Sequence, residues 1–343
     1  MRARAASGTA AVASVPVAEV ATRSDVLRRL ELEVRRRIEG RASGDHATLA
    51  LGPGSERAGA RAYGPGDDAR LIDWNLTARS GETFVRQTES DREAETWIVA
   101  DRSASLDFGT ARSEKRDVVL GAAAAFGMLR IGGGNRIGVV ACGTERLVHR
   151  PSRQGRPAFM AALSTIYDTP RQATPPPPEA DLGAACRWLL GAAQRRGQVV
   201  VVSDFLDGER WQRELRLLAL RHEVLAVHIT DPRELELPDV GILGVVDAET
   251  GAQRYVSTGS RSFRERYAAA AAARTAGIRT AIHSAGAEYL ALSTDRDWLT
   301  DTVSFVSRRR TVRAPSPAER LGRPMPSAPP GATPAPAPGL APR

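Results

Sequence analysis

The sequence predicts an open, doubly wound α/β domain with a mostly parallel sheet flanked by helices. Three features carry that prediction. From Thr96 onward, short β-branched runs alternate with helical patterns, the order expected of a wound α/β sheet. Trp97–Ala100, Val199–Val202 and Val224–Ile229 are continuous apolar stretches of strand length, as central strands covered on both faces require. Each of these runs leads, at once or within a residue or so, into an aspartate: Asp101, Asp204 and Asp231. The carboxyl ends of the strands are where such sheets bind ligands.

Along the chain, residues 1–24 show no lasting apolar stripe and are expected to be disordered. The next region spans 25–95. Ser24 reads as the N-cap of its opening helix, whose stripe of Val26, Leu27, Leu30, Val34 and Ile38 is bounded by Gly40. The stretch from 41 to 95 is rich in Gly and charge. The α/β domain occupies 96–310. Its predicted strands are the three above plus Ile137–Ala141 and Tyr289–Leu292. Helical patterns lie between them: Val118, Ala122, Phe126 and Leu129; Leu182–Leu190; Trp211, Leu215 and Leu218; Phe263–Ala273; and a last helix, Trp298–Arg309. Val240–Asp247 and Arg254–Val256, separated by Glu249-Thr250-Gly251, read as a hairpin appended to the sheet. Pro175–Pro178 is a stiff surface spacer. Gly132-Gly133-Gly134 reads as a helix C-cap and turn, because it follows a helix and no lysine comes after it. Residues 311–343 hold ten of the 22 prolines and no apolar period, and read as a disordered tail.

At 343 residues and 42% hydrophobic, the chain can build a core without disulfides or metal. Its longest periodic apolar run, Val118–Leu129, is far short of the roughly 20 residues a spanning helix needs. Arg2 and Arg4 are not followed by a compact apolar segment, so no signal peptide is read. Cys142 and Cys186 lie in apolar contexts, which fits a reducing cytoplasm. The net charge of +8 is carried by the two ends: three Arg and one Glu in 1–24, seven Arg and one Glu in 308–343. The body is neutral, so no nucleic-acid groove is expected there. Lys115 is the only lysine, and the arginine bias reads as the mark of a G+C-rich genome.

In a doubly wound sheet the first strand and the strand after the crossover lie side by side, so Asp101 and Asp204 are expected to share a site. Asp101-Arg102-Ser103-Ala104-Ser105 puts a carboxylate and two hydroxyls at alternate positions of a strand-end loop. Mg²⁺ takes oxygen ligands, keeps several waters and needs only one or two carboxylates. Asp101, Ser103 and Ser105, with Asp204 behind a water, suit it and leave a position open for a partner's acidic side chain. The plainer reading is that each aspartate caps the element that follows.

Those residues and the α/β order resemble a von Willebrand factor A-like domain with a metal-ion-dependent adhesion site. The block Gly66-Asp67-Asp68-Ala69-Arg70-Leu71-Ile72-Asp73-Trp74 is similar to the GDD-x-R-x-x-DW signature of the bacterial domain-of-unknown-function family number fifty-eight. Arg61–Pro65 before it, Ala78-Arg79, Phe84-Val85-Arg86, Asp231-Pro232-Arg233-Glu234 and Leu292–Trp298 carry the resemblance over about 25–310. It implies a non-enzymatic adaptor that works with MoxR-type AAA+ ATPases in chaperone-like maturation or stress response, docking through Mg²⁺ held by Asp101, Ser103, Ser105 and Asp204. One departure stands out. Where the family's metal site has a Thr, in a Gly-Thr-Asp-Leu-like context, this chain has Ala180, in Glu179-Ala180-Asp181-Leu182.

The competing reading is a metal-dependent hydrolase using Asp204, Asp207 and Asp231. No histidine at a strand end and no Gly-x-Ser-x-Gly elbow supports nucleophilic or general-base chemistry. His228, inside an apolar run, reads as a core histidine. In the GDD block, Asp67, Asp68 and Asp73 read either as an acidic ligand cluster or docking surface or, the favoured reading, as a salt-bridged scaffold with Arg61, Arg70 and Arg79 in which Ile72 and Trp74 anchor the segment in a core.

Overall fold

The computed structural model describes residues 22–42, 60–64, 68–86, 94–131, 135–171, 177–246 and 252–313. In chain order the elements are α1 (Arg23–Ala42), β1 (Ala60–Ala62), α2 (Trp74–Ser80), β2 (Phe84–Arg86), β3 (Glu95–Asp101), α3 (Lys115–Met128), β4 (Arg136–Cys142) and β5 (Val148–Gln154). There follow α4 (Gly155–Asp168), α5 (Leu182–Ala192), β6 (Gln198–Ser203), α6 (Arg210–Arg221), β7 (Glu223–Thr230) and α7 (Pro232–Leu235). The last are β8 (Ile242–Val246), β9 (Gln253–Ser257), α8 (Arg261–Ser284), β10 (Glu288–Ser293) and α9 (Trp298–Arg313).

Six strands form one sheet in the order β10-β7-β6-β3-β4-β5. Neighbours are parallel except β5, which runs antiparallel to β4 at the edge. The chain winds from β3 outward through β4 to β5, then crosses back to β6 and winds the other way through β7 to β10. The reversal falls between β3 and β6. Helices α3 and α4 cover one face with α1 packed on both, and α5, α6 and α8 cover the other. Alternate residues of neighbouring strands, among them Trp97, Val99, Val140, Val199, Val201 and Ala226, enter the core against Leu182, Leu189, Trp211, Leu215 and Ile282. Gly121 lets α3 pass under the ring of Trp298, which a Cβ there would meet at 2.6 Å.

The predicted strands are all present. Among the elements that escaped prediction are β5 and α4. β5 reads Val-His-Arg-Pro-Ser-Arg-Gln, without alternation and with a proline that only an edge strand tolerates. α4 buries Phe159, Ala162, Leu163 and Ile166 at helical spacing directly after it. α1 starts at Arg23 rather than after Ser24: Thr22 provides the start, its hydroxyl donating to Asp25 Oδ2 at 2.6 Å. That helix belongs to the α/β body, since Leu27, Val34 and Ile38 are buried and Glu31 takes both ends of the Arg156 guanidinium at 2.7 and 2.6 Å. The hairpin exists, but β8 and β9 pair only with each other and form a separate two-stranded sheet. Residues 1–21, Gly132–Gly134 and 314–343 lie outside the described residues, so the expectations for them do too. The chain divides into units 1–303 and 304–343, and the described part of the second is the end of α9. Among the described residues no helix is long and apolar enough to cross a membrane.

The GDD block departs from its expected packing. Asp67 lies outside the described residues. Asp68 caps a short 3₁₀ turn, accepting from the Arg70 N–H at 2.9 Å, and Asp73 caps α2, accepting from Asn75 and Leu76 at 3.1 and 3.2 Å. Ile72 is half-buried and bridges to Val85, but Trp74 is 68% exposed. The Asp-Trp pair therefore starts a helix with the aspartate capping its first turn and leaves the indole outside. Trp74→Ala is expected to change the unfolding free energy by less than about 0.5 kcal/mol in urea titrations. A loss of about 3–5 kcal/mol would put the indole back in a core.

Candidate functional site

β3 and β6 pair in register from Thr96 with Gln198 to Ala100 with Val202, so Asp101 closes β3 and Asp204 is the first residue past β6. Both sit where the winding reverses. Asp101, Ser103, Ser105 and Asp204 come together there, and all four are buried. Asp101 Oδ1 accepts the Ser103 N–H at 2.9 Å, and Oδ2 accepts the Ser203 hydroxyl at 2.6 Å. The Ser103 and Ser105 hydroxyls hydrogen-bond each other at 3.2 Å, and Ser105 also bonds Asp204. Asp204 Oδ1 accepts from Leu206 N–H at 3.2 Å.

The other oxygen of Asp204 has a partner that the sequence motif does not contain. Lys115 Nζ donates to Asp204 Oδ2 at 2.8 Å and to Glu234 Oε1 at 2.5 Å. Lys115 is fully buried at the first residue of α3. Sequence reasoning missed it because an isolated lysine ordinarily faces water. The available signal was its uniqueness in a chain whose other permanent cations are arginines.

The electrostatics follow from that placement. Burial, then repulsion from Asp204, pushes the Asp101 carboxyl up to about 6. Burial would also raise Asp204, but the charge and hydrogen bond of Lys115 hold it below the usual carboxylate range. Burial opposes the Lys115 charge, and Asp204 and Glu234 together raise its pKa above the ordinary lysine value. Glu234, where burial outweighs the nearby ammonium, is pushed up.

Two backbone features hold the loops. Gly143, just past β4, has φ +83°, and a Cβ there would come within 2.3 Å of Ser103 N and 2.7 Å of Asp101 Oδ1. Gly143→Ala is expected to cost more than about 2 kcal/mol, read from the urea midpoint. An unchanged midpoint would mean that the Asp101 loop does not rest on this glycine. Phe205, immediately after Asp204, is the one described non-glycine residue with positive φ, at 56°. Its ring packs edge-on to Trp211 at 4.9 Å and to His228 at 5.9 Å, which fixes the turn.

The remaining strand-end acids have structural partners. Asp231 caps α7 through Arg233 N–H at 2.9 Å and accepts the hydroxyls of Thr110 and Thr294, each at 2.5 Å. Asp207 accepts from Leu182 N–H at 3.0 Å. Asp181 caps α5 through Ala184 N–H at 2.6 Å and pairs with Arg210 at 2.9 Å. His228 is buried, hydrogen-bonded to the Tyr289 hydroxyl at 2.9 Å, and lowered by burial to about 4, as a core histidine should be.

This donor set does not fit a divalent ion. A direct Mg²⁺ site needs several oxygens free to turn toward it. Here Ala180 offers no hydroxyl, Asp204 is already neutralised by an ammonium, and Asp101 has both oxygens engaged. Among the described residues no cluster of three or more His, Cys, Asp or Glu side chains is arranged to hold a metal ion.

Strand order, the switch point and the Asp-x-Ser-x-Ser loop define the class, a doubly wound α/β domain of von Willebrand factor A type. Within it the family is specific: residues 59–277 match the family described as Protein of unknown function DUF58, and the chain belongs to it. The uncharacterized proteins Rv1480 of Mycobacterium tuberculosis and Mb1516 of Mycobacterium bovis are each 47% identical over 284 residues, covering 83% of this chain and 89% of theirs. Among solved structures, BatB from Bacteroides thetaiotaomicron aligns with 64% of this chain and 99% of its own, at 9% identity and a TM-score of 0.38. The SpRpn10 VWA domain aligns with 62% and 94%, at 15% identity and a TM-score of 0.38.

Proposed function

We propose that this chain is a cytoplasmic, non-enzymatic adaptor that docks on a MoxR-type AAA+ ATPase through the loops at the carboxyl edge of its sheet. The observation that carries the reading is the layering of that edge. A buried polar network of Asp101, Ser103, Ser105, Ser203, Asp204 and Lys115 holds the strand ends rigid. The loop that follows, 107–112, reaches solvent and presents Phe108, 38% exposed. A rigid floor beneath an exposed aromatic suits protein recognition. The family resemblance supplies the class of partner, and two free, buried thiols agree with a reducing compartment. A hydrolase would need acids free to act on substrate, whereas Asp204, Asp207 and Asp231 are committed to internal partners.

The test is the affinity of the purified chain for the MoxR-type ATPase of the same organism. Phe108→Asp is expected to weaken it by at least about tenfold, roughly 1.4 kcal/mol, with the unfolding midpoint unchanged. Equal affinity would remove this face as the docking surface. No binding by the wild-type chain would remove the partner.

A further inference from the structure

The mismatch between the site and a divalent ion has a specific cause. The site contains its own cation. We infer that the Lys115 ammonium, held between Asp204 and Glu234, supplies the neutralising charge that a metal ion would bring to this edge of the sheet, making this a metal-independent version of the adhesion-site architecture. Three observations converge on it. Nζ lies 2.8 Å from Asp204 and 2.5 Å from Glu234, bridging the end of β6 to α7. Lys115 is 0% exposed and sits at the N-terminal residue of α3, where the helix dipole disfavours a positive charge. A cation placed against both solvation and the dipole is retained for what it neutralises. Finally, Ala180 removes the hydroxyl that a bound ion would use, and its side chain is fully buried.

The composition adds a fourth argument. Every other Lys/Arg position in the chain is arginine. An ammonium is compact and satisfies carboxylates converging from different directions, whereas a planar guanidinium needs more room and a fork-shaped partner. The one lysine stands where the carboxylates of Asp204 and Glu234 converge on a single nitrogen.

The inference does not rest on the docking reading, because it concerns what neutralises the acids and not what binds the loops. The decisive experiment is a Mn²⁺ titration of the full chain by calorimetry, with thermal midpoints in EDTA and in Mn²⁺. The wild type is expected to show no saturable heat and the same midpoint in both. Lys115→Met combined with Ala180→Thr removes the ammonium and restores the hydroxyl. It should bind Mn²⁺ at least about tenfold more tightly than the wild type, since an ammonium already paired with Asp204 repels a second cation brought to that carboxylate. Its midpoint should rise on adding Mn²⁺. Saturable Mn²⁺ binding by the wild type, abolished by Asp101→Ala, would overturn the inference. So would a folded double variant with no gain in affinity.

A second readout needs no destabilising variant. With ¹⁵N-lysine the chain carries a single side-chain amine signal, and it should be that of a slowly exchanging, protected NH₃⁺. Asp204→Asn should shift that signal and speed its exchange. A fast-exchanging, solvent-like amine in the wild type would overturn the inference even if the metal variants failed to fold.

Discussion

Replacing Lys115 with methionine should destabilise the domain by about 3–5 kcal/mol, the usual cost of removing one partner from a buried ion pair. Methionine keeps most of the aliphatic stem, so packing changes little and the loss reports the charge. Left behind are Asp204, with a side chain 2% exposed, and Glu234, with one 24% exposed. Both then face a helix end and a strand end without a cation. Against a typical total of about 5–15 kcal/mol, this would leave the domain marginal. The double variant Lys115→Met/Asp204→Asn should recover much of the loss, because an uncompensated buried charge costs more than a neutral pair of similar shape. Urea unfolding of the wild type, both single variants and the double variant gives the coupling directly. A Lys115→Met variant within about 1 kcal/mol of wild type would show that the pair is not closed in solution.

The sheet was legible because its central strands are covered on both faces. Trp97–Ala100, Val199–Val202 and Val224–Ile229 are apolar at every position, which polar loops and amphipathic helices do not imitate. Their order followed from winding, and with it the meeting of Asp101 and Asp204. β5 was illegible for the converse reason. At the edge it is covered less, so Pro151 and Arg153 are admitted and the alternation disappears.

The site was half legible. Local spacing revealed the Asp-x-Ser-x-Ser loop, but a contact across 89 positions of sequence, between Lys115 and Asp204, leaves no local trace. Lys115 precedes the first apolar residue of its helix and would ordinarily be assigned to solvent. Trp74 failed in the opposite sense. An indole inside a motif reads as a core anchor, yet Asp73 caps the helix that begins at Trp74 and the ring stays outside. In both cases tertiary placement overrode the residue type's usual burial. The apolar runs of the central strands showed no such conflict.

The second large effect is a pH dependence that belongs to Asp101. Its carboxyl is raised from the ordinary 3.8 to about 6 by burial and by Asp204, so between these values the folded state binds more protons than the unfolded chain. Stability contributed by this group is therefore present below about pH 4, falls as pH rises to about 6, and stays low above it. At roughly 1.4 kcal/mol per unit, the penalty at pH 8 is about 3 kcal/mol. Asp101→Asn removes the titration while keeping an acceptor for the Ser103 N–H. The difference in unfolding free energy, variant minus wild type, should thus climb by about 3 kcal/mol between pH 4 and pH 7 and then level off. Glu234, raised by burial, and His222 and His228, lowered by burial, are common to both chains and drop out of the difference. Asp204, held low by Lys115, loses its contribution only at more acid pH. The experiment is run in EDTA, so the slope reports protons alone. A flat difference would mean that Asp101 is ionised at ordinary cost, which requires more positive charge beside it than Lys115 supplies. A rising difference would mean that one ammonium neutralises Asp204 and leaves Asp101 to hold its proton near pH 6. That is the charge state expected of a site built around a lysine rather than a doubly charged ion.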